Sequence, residues 1–250
     1  MKKTILLGIL CIVLGSVLFA GGAKEKSDYV FASDCTWPPL EFVDESGAIA
    51  GFEIDLVAAI GKKSGYSMVS KNVAWEGIFA GLNNGAYDAV ASGVTITEER
   101  KETMEFTTPI LEVIQSIIVH KGTTAITSEK DLNGKTVGVQ IGTTGHFATE
   151  KIPGVTVKAY DDIGLAIEDL LNKNLDAAVA DSLIAAEFVL GNENYANKLQ
   201  INGTVGQDKE QIAIAVKKGN SELLTILNDT LAALEADGTL SSLKKQWNIL

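Results

Sequence analysis

Thr136-Val137-Gly138-Val139-Gln140-Ile141, the turn Gly142-Thr143-Thr144-Gly145, and the helical pattern that opens at His146 together decide the fold. A short β-branched run that breaks at glycines and passes into a helix is one half of a strand–helix–strand unit. The alternation continues downstream, with strands expected over 155–160 and 177–180 and helices over 162–172 and 182–190. Upstream it runs the same way. Strands are expected over 30–33, 68–73, 87–92 and 111–121, and helices over 53–63 and 76–84. In the first of these helices Ile54, Val57 and Ile60 share one stripe, and Gly65 stands where a left-handed C-cap belongs. A further β run over 211–217 precedes amphipathic helices over 221–247. The fold class is α/β with largely parallel sheets.

The 250 residues are 46% apolar and 21% charged, enough to build a core without crosslinks. Four Pro, 24 Gly and no low-complexity tract exclude disorder and collagen. At the amino end Lys2 and Lys3 precede an apolar run over 5–19 that closes in Ala20-Gly21-Gly22-Ala23. That is the plan of a secretory signal peptide; at roughly 15 residues the run is short of the ~20 that span hydrocarbon. Residues 1–23 are therefore read as removed, which takes the net charge from -11 to about -13. So acidic a surface disfavours nucleic acid and anionic membrane. Cys11 goes with the leader and Cys35 stays alone, so no internal disulfide is expected. Cys11 follows Leu10 and Cys35 follows Asp34, neither the small-residue setting of an acyl-anchored cysteine. A freely diffusing exported protein, retained in a bacterial periplasm, is expected.

Leu82-Asn83 leading to Ala89-Val90-Ala91-Ser92 is repeated by Leu171-Asn172 leading to Ala178-Val179-Ala180-Asp181, 89 residues later. Two lobes of one plan are implied. Ligands of open α/β sheets sit beyond the carboxyl ends of strands, so Ser92 and Asp181 point to one shared cleft.

Polar groups concentrate in Ser92-Gly93-Val94-Thr95-Ile96-Thr97-Glu98-Glu99-Arg100. Gly93 permits close backbone approach, Thr95 offers a hydroxyl and an N–H, and Arg100 offers a planar fork suited to a carboxylate. Thr97 reads as a helix N-cap. A surface helix start, with Arg100 paired to Glu99 or Glu102, explains the same residues equally well. The Gly142 turn offers N–H groups for an anion, but it lacks both the P-loop lysine and the three-glycine dinucleotide spacing, so a carboxylate fits better than a nucleotide. Asp34-Cys35-Thr36-Trp37-Pro38-Pro39 and Trp75 set an acid and two indoles on loops after strands. Each Trp taken singly fits a core position as well as a ligand platform. His120 and His146 are isolated, no G-x-S-x-G elbow occurs, and Cys35 has no evident base, so no metal, cofactor or catalytic residue is expected.

Residues 34–42, Gly51-Phe52-Glu53-Ile54-Asp55-Leu56, Tyr87-Asp88-Ala89, residues 93–100 and the Gly142 turn together resemble the periplasmic polar amino acid-binding proteins that serve ABC transporters. The resemblance implies two lobes joined by two hinge strands, with residues 28–112 plus 211–250 in one and 113–210 in the other. It also implies a monomer that closes on a free amino acid and is met by a membrane permease. By the same resemblance, Arg100 with the N–H groups of Thr95 and Thr144 would hold an α-carboxylate. The Gly93 carbonyl, the Thr95 hydroxyl and Asp181 would hold an α-ammonium. Trp37 and Trp75 would sandwich the side chain, with Asp34 and Gln140 at its tip. Gln140 stands where glutamine-binding relatives carry a lysine. With Asp34 at the tip and Glu41 and Glu76 beside pocket residues in sequence, a cationic side chain is expected. Two other outcomes on this fold are a cyclohexadienyl dehydratase-like enzyme and a ligand-sensing receptor domain.

Overall fold

A computed structural model describes residues 29–191 and 193–249. The expected leader and Cys11 lie outside the described residues. Among those described, no helix is long and apolar enough to cross a membrane.

The chain opens with β1 (Tyr29–Ser33), β2 (Thr36–Trp37), β3 (Glu41–Val43), β4 (Ile49–Ala50), α1 (Phe52–Ser64), β5 (Met68–Asn72), α2 (Ile78–Asn84), β6 (Ala89–Val90), α3 (Glu98–Thr103) and β7 (Met104–Phe106). It crosses into β8 (Leu111–His120), β9 (Thr136–Gln140), α4 (Thr144–Glu150), β10 (Thr156–Tyr160), α5 (Ile163–Leu171), β11 (Ala177–Asp181), α6 (Ser182–Ala186), α7 (Glu193–Ala196) and β12 (Leu199–Ile212). It returns through β13 (Ala215–Lys217), α8 (Ser221–Ala236) and α9 (Thr239–Gln246).

Local chemistry sets these bounds. Gly65 ends α1 in the left-handed conformation, its N–H bonded to the Gly61 carbonyl. Thr97, Thr143 and Asp162 cap α3, α4 and α5 by accepting from the backbone N–H three residues on. α1 buries Val57 and Ile60 of the expected stripe together with Leu56, in the same cluster as Leu223, Leu227 and Leu231 of α8, while Ile54 is only half-buried and lies outside that cluster. In the other half α5 buries Ile163, Ala166, Ile167 and Leu170.

Two five-stranded sheets result, in the orders β5-β1-β6-β13-β7 and β10-β9-β11-β8-β12. The orders correspond: β1 and β9 occupy matching places, as do β6 and β11, the strands in which the 89-residue repeat falls. The fold is the two-lobed α/β architecture with two hinge strands. The crossovers run side by side, β8 pairing antiparallel with β12 through Leu111 to Ile212, Glu112 to Gln211 and Val113 to Glu210.

Several expectations need correction. The sheets are mixed, because β13 runs antiparallel to β6 and β7, and β8 antiparallel to β11 and β12. The run expected over 211–217 is two elements, the end of β12 and β13. Most of β12, and the small sheet β2-β3-β4, were not anticipated. The strand expected over 87–92 pairs regularly only at Ala89–Val90. The helix expected over 182–190 is α6 followed by a π-turn at Glu187–Gly191.

Candidate functional site

The carboxyl ends of the two sheets face one another over a narrow cavity. Its lining is Asp34, Trp37, Trp75, Ser92, Gly93, Thr95, Arg100, Gln140, Thr143, Thr144 and Asp181. The nine residues expected to hold the ligand, Asp34, Trp37, Trp75, Gly93, Thr95, Arg100, Gln140, Thr144 and Asp181, all line it. Ser92 and Thr143 join them. Ser92 was legible as a strand-end residue, and Thr143 lies within the turn already noted.

The first lobe contributes a braced wall. Asp34, just past β1, donates its N–H to the Ser92 hydroxyl (2.8 Å), and that hydroxyl donates to Glu41 Oε1 (3.0 Å). Gly93 donates its N–H to Glu53 Oε1 (3.2 Å). Gly93 has φ +55°, and a Cβ there would lie 3.1 Å from the Trp37 indole, so a side chain at this position would strain the backbone and crowd the ring. The segment that follows is sewn to the second crossover: Ala213 donates to the Val94 carbonyl (3.0 Å) and Ile96 to the Gln211 carbonyl (2.8 Å).

Glu41 and Glu53 are wholly buried behind this wall, and neither lines the cavity. Burial pushes both carboxyls up, Glu41 well above the carboxylate range and Glu53 to about 8, with mutual repulsion adding to the rise of Glu41. Glu76 is exposed and outside the lining. The acidic surroundings expected from these two neighbours therefore reduce to Asp34 and Asp181.

Arg100 reaches into the cavity instead of pairing on the surface; among the described residues it forms no ion pair within 4.0 Å. Its Nη1 donates to the Thr95 carbonyl (2.9 Å) and its Nη2 crosses to the Gly142 carbonyl of the second lobe (3.4 Å). The guanidinium carbon lies 4.9 Å from the Phe79 ring centre and 5.5 Å from that of Trp75. Burial lowers its pKa to about 10, which leaves it charged at neutral pH.

The second lobe answers from β9, α4 and β11. Gln140 donates to Asp34 Oδ2 (2.8 Å) and to the Asp161 carbonyl (3.1 Å). Asp181 ends β11, accepts from Gln115 Nε2 (2.6 Å) and is pushed up to about 7, chiefly by burial and then by Glu210, against the hydrogen bonds of Gln115 and Trp37 and the charge of Arg100. Burial likewise raises the Asp34 carboxyl, opposed by the hydrogen bonds of Gln140 and Thr36. The His146 ring serves the turn, its Nδ1 accepting from the Gly142 N–H (3.1 Å). Buried Cys35, pushed to about 11, is inert as a nucleophile. Among the described residues no three metal-ligating side chains gather.

Sequence reasoning missed Gln115 and Glu210. Both lie on the crossover strands and fasten Asp181 and Thr144 from behind. The one available signal was Gln115-Ser116 interrupting an otherwise apolar β run.

A cavity lined by polar and indole side chains between two α/β lobes that are joined by adjacent strands defines a two-lobed binding protein. The chain belongs to the bacterial extracellular solute-binding proteins, family 3, whose model matches residues 29–249. It is 32% identical over 249 residues to a probable histidine-binding protein of Neisseria gonorrhoeae, covering 95% of this chain and 92% of that one. It is 32% identical over 226 residues to the L-cystine-binding protein TcyJ of Escherichia coli (90% and 84% covered). Among solved structures, an ancestral arginine-binding protein bound to arginine superposes with a TM-score of 0.84 at 38% identity, covering 89% of this chain and 99% of that one.

Proposed function

We propose that the cavity encloses a free L-amino acid with a cationic side chain, and that closure of the lobes over it presents the protein to the permease of an ABC transporter. The observation that carries this reading is that Arg100 and Asp181, a fixed cation and an acid from opposite lobes, line one cavity. A zwitterion matches that pair. Its carboxylate meets Arg100 and the Thr95 and Thr144 amides, and its ammonium meets Asp181, the Gly93 carbonyl and the Thr95 oxygen. Charge-assisted bonds of roughly 1.5–3 kcal/mol each, three or four in number, suffice for a micromolar binder after association costs.

The side-chain end supports a cation. Gln140 has both amide hydrogens engaged within the protein, so it has only acceptor capacity left to offer, in a cavity that it shares with the Asp34 carboxyl and the Trp37 and Trp75 rings. The names of the similar proteins, for histidine, cystine and arginine, are compatible with a polar amino acid. Binding without turnover fits best, because Asp34 and Asp181 are each already held by hydrogen bonds suited to fixing charge. We place the protein in the periplasm as a monomer, with 28–112 plus 211–250 moving against 113–210.

A thermal-shift screen against all common amino acids tests the reading. A native-state ligand at 100 times its dissociation constant adds about 2.7 kcal/mol, roughly 5–10 °C for a chain of this size. Arg, Lys or His is expected to give the largest shift. A maximum with Glu or Leu overturns the side-chain argument, and no shift with any amino acid overturns the whole.

A further inference from the structure

The second crossover carries a carboxylate that lies outside the cavity lining. β12 pairs with β8 at Val205 to Gln115, loses register, and regains it at Glu210 to Val113, with residues 206–209 extruded between. Glu210 is thus anchored by the backbone pairing of the two crossovers. Its Oε2 accepts from the Thr144 hydroxyl at 2.7 Å and from the Thr95 hydroxyl at 3.0 Å. Thr95 belongs to the first lobe and Thr144 to the second, and their hydroxyl oxygens lie 3.5 Å apart. One oxygen on the hinge therefore gathers one hydroxyl from each lobe.

We propose that Glu210 is the latch of the closed state, a positioning residue that sets how long the lobes stay shut on their contents. Opening must separate Thr95 from Thr144, and a single oxygen cannot follow both. Both hydrogen bonds to that oxygen must break for the lobes to part, which slows opening. The latch is continuous with the ammonium end of the cavity, since Gln115 of the first crossover donates both to Thr144 Oγ1 (3.2 Å) and to Asp181 Oδ1 (2.6 Å). Glu210 lines the outer groove between α3 and α4, on the far side of Thr95 and Thr144 from the cavity. It thereby acts on release without touching the enclosed molecule.

The inference rests on the cavity enclosing a ligand, and its test separates the two claims. Stopped-flow tryptophan fluorescence with L-arginine gives association and release rates, and small-angle scattering gives the radius of gyration without ligand. Glu210→Ala is expected to speed release at least tenfold with association within about twofold, and to enlarge the ligand-free radius. Glu210→Gln, which keeps one acceptor oxygen and the side-chain volume, is expected to fall between, and guards against a folding defect in the alanine variant. Thr144→Val is expected to speed release too, and the double variant with Glu210→Ala to fall short of the product of the single effects. Release unchanged in Glu210→Ala, or faster association with unchanged release, overturns the latch. If wild-type protein binds none of L-arginine, L-lysine and L-histidine, the cationic-ligand reading fails, and equal ligand-free radii in wild type and Glu210→Ala overturn the latch independently.

Discussion

Gln140 Nε2 lies 2.8 Å from Asp34 Oδ2, a hydrogen bond that joins the end of β9 to the residue just past β1 across the gap between the lobes. These strands hold matching places in their sheets, so the contact links equivalent points of a duplicated plan. Asp34→Asn removes the charge and keeps the shape. Affinity for arginine and lysine is expected to fall ten- to a hundredfold while that for glutamine changes little, as read by calorimetry. An equal loss for all three would show that Asp34 braces the wall without reading charge.

Arg100→Ala and Asp181→Ala each remove one end of the zwitterion clamp. Each is expected to weaken amino-acid binding at least a hundredfold, with thermal unfolding still cooperative. Retained affinity in both variants would reject the clamp.

Proton release on binding offers a separate check on Asp181. Its carboxyl sits near 7 because of burial, and an ammonium beside it favours the ionised form. Binding should therefore release a proton near neutral pH, and affinity should fall as pH drops below about 7. Calorimetry in two buffers of different ionisation enthalpy counts that proton, and Asp181→Asn should abolish the count.

Glu53, pushed to about 8, binds its proton more tightly folded than unfolded. Its contribution to stability is whole below its ordinary value near 4.5 and is lost as pH rises toward 8. Melting temperature without ligand should decline over that window, and Glu53→Gln should flatten the decline. A variant that melts with the wild-type slope would mean that Glu53 is ionised in the native state.

Gly93→Ala places a methyl carbon 3.1 Å from the Trp37 indole at φ +55°. A loss of about 1–2 kcal/mol is expected from the backbone alone, together with weaker binding and an altered tryptophan emission spectrum as the ring shifts. Unchanged emission and affinity would show that the wall yields freely.

The strand ends that carry chemistry were legible because short apolar runs stop at polar residues: Ser33-Asp34 after Ala32, Ser92 after Ala91, Asp181 after Ala180. β12 was not. Its Gln200, Asn202, Gly203, Gly206, Gln207 and Asp208 have weak strand propensity, and two positive-φ glycines break its register. Only the partner β8 makes it a strand, a non-local cause that no local pattern carries. The same reason hid Glu210. The hydroxyls that donate to it, those of Thr95 and Thr144, are distant in sequence and meet only when the lobes do. Arg100 stood undecided between surface and cleft until the fold turned α3 inward.

Strand β13 lies between β6 and β7, whereas every strand of the other sheet falls within residues 111–212. During vectorial emergence, amino end first, the half that is made earlier thus cannot finish before the half made later. The stretch from Ala215 onward acts as a keystone, and a chain truncated before it would leave β7 detached while its neighbour domain was already complete.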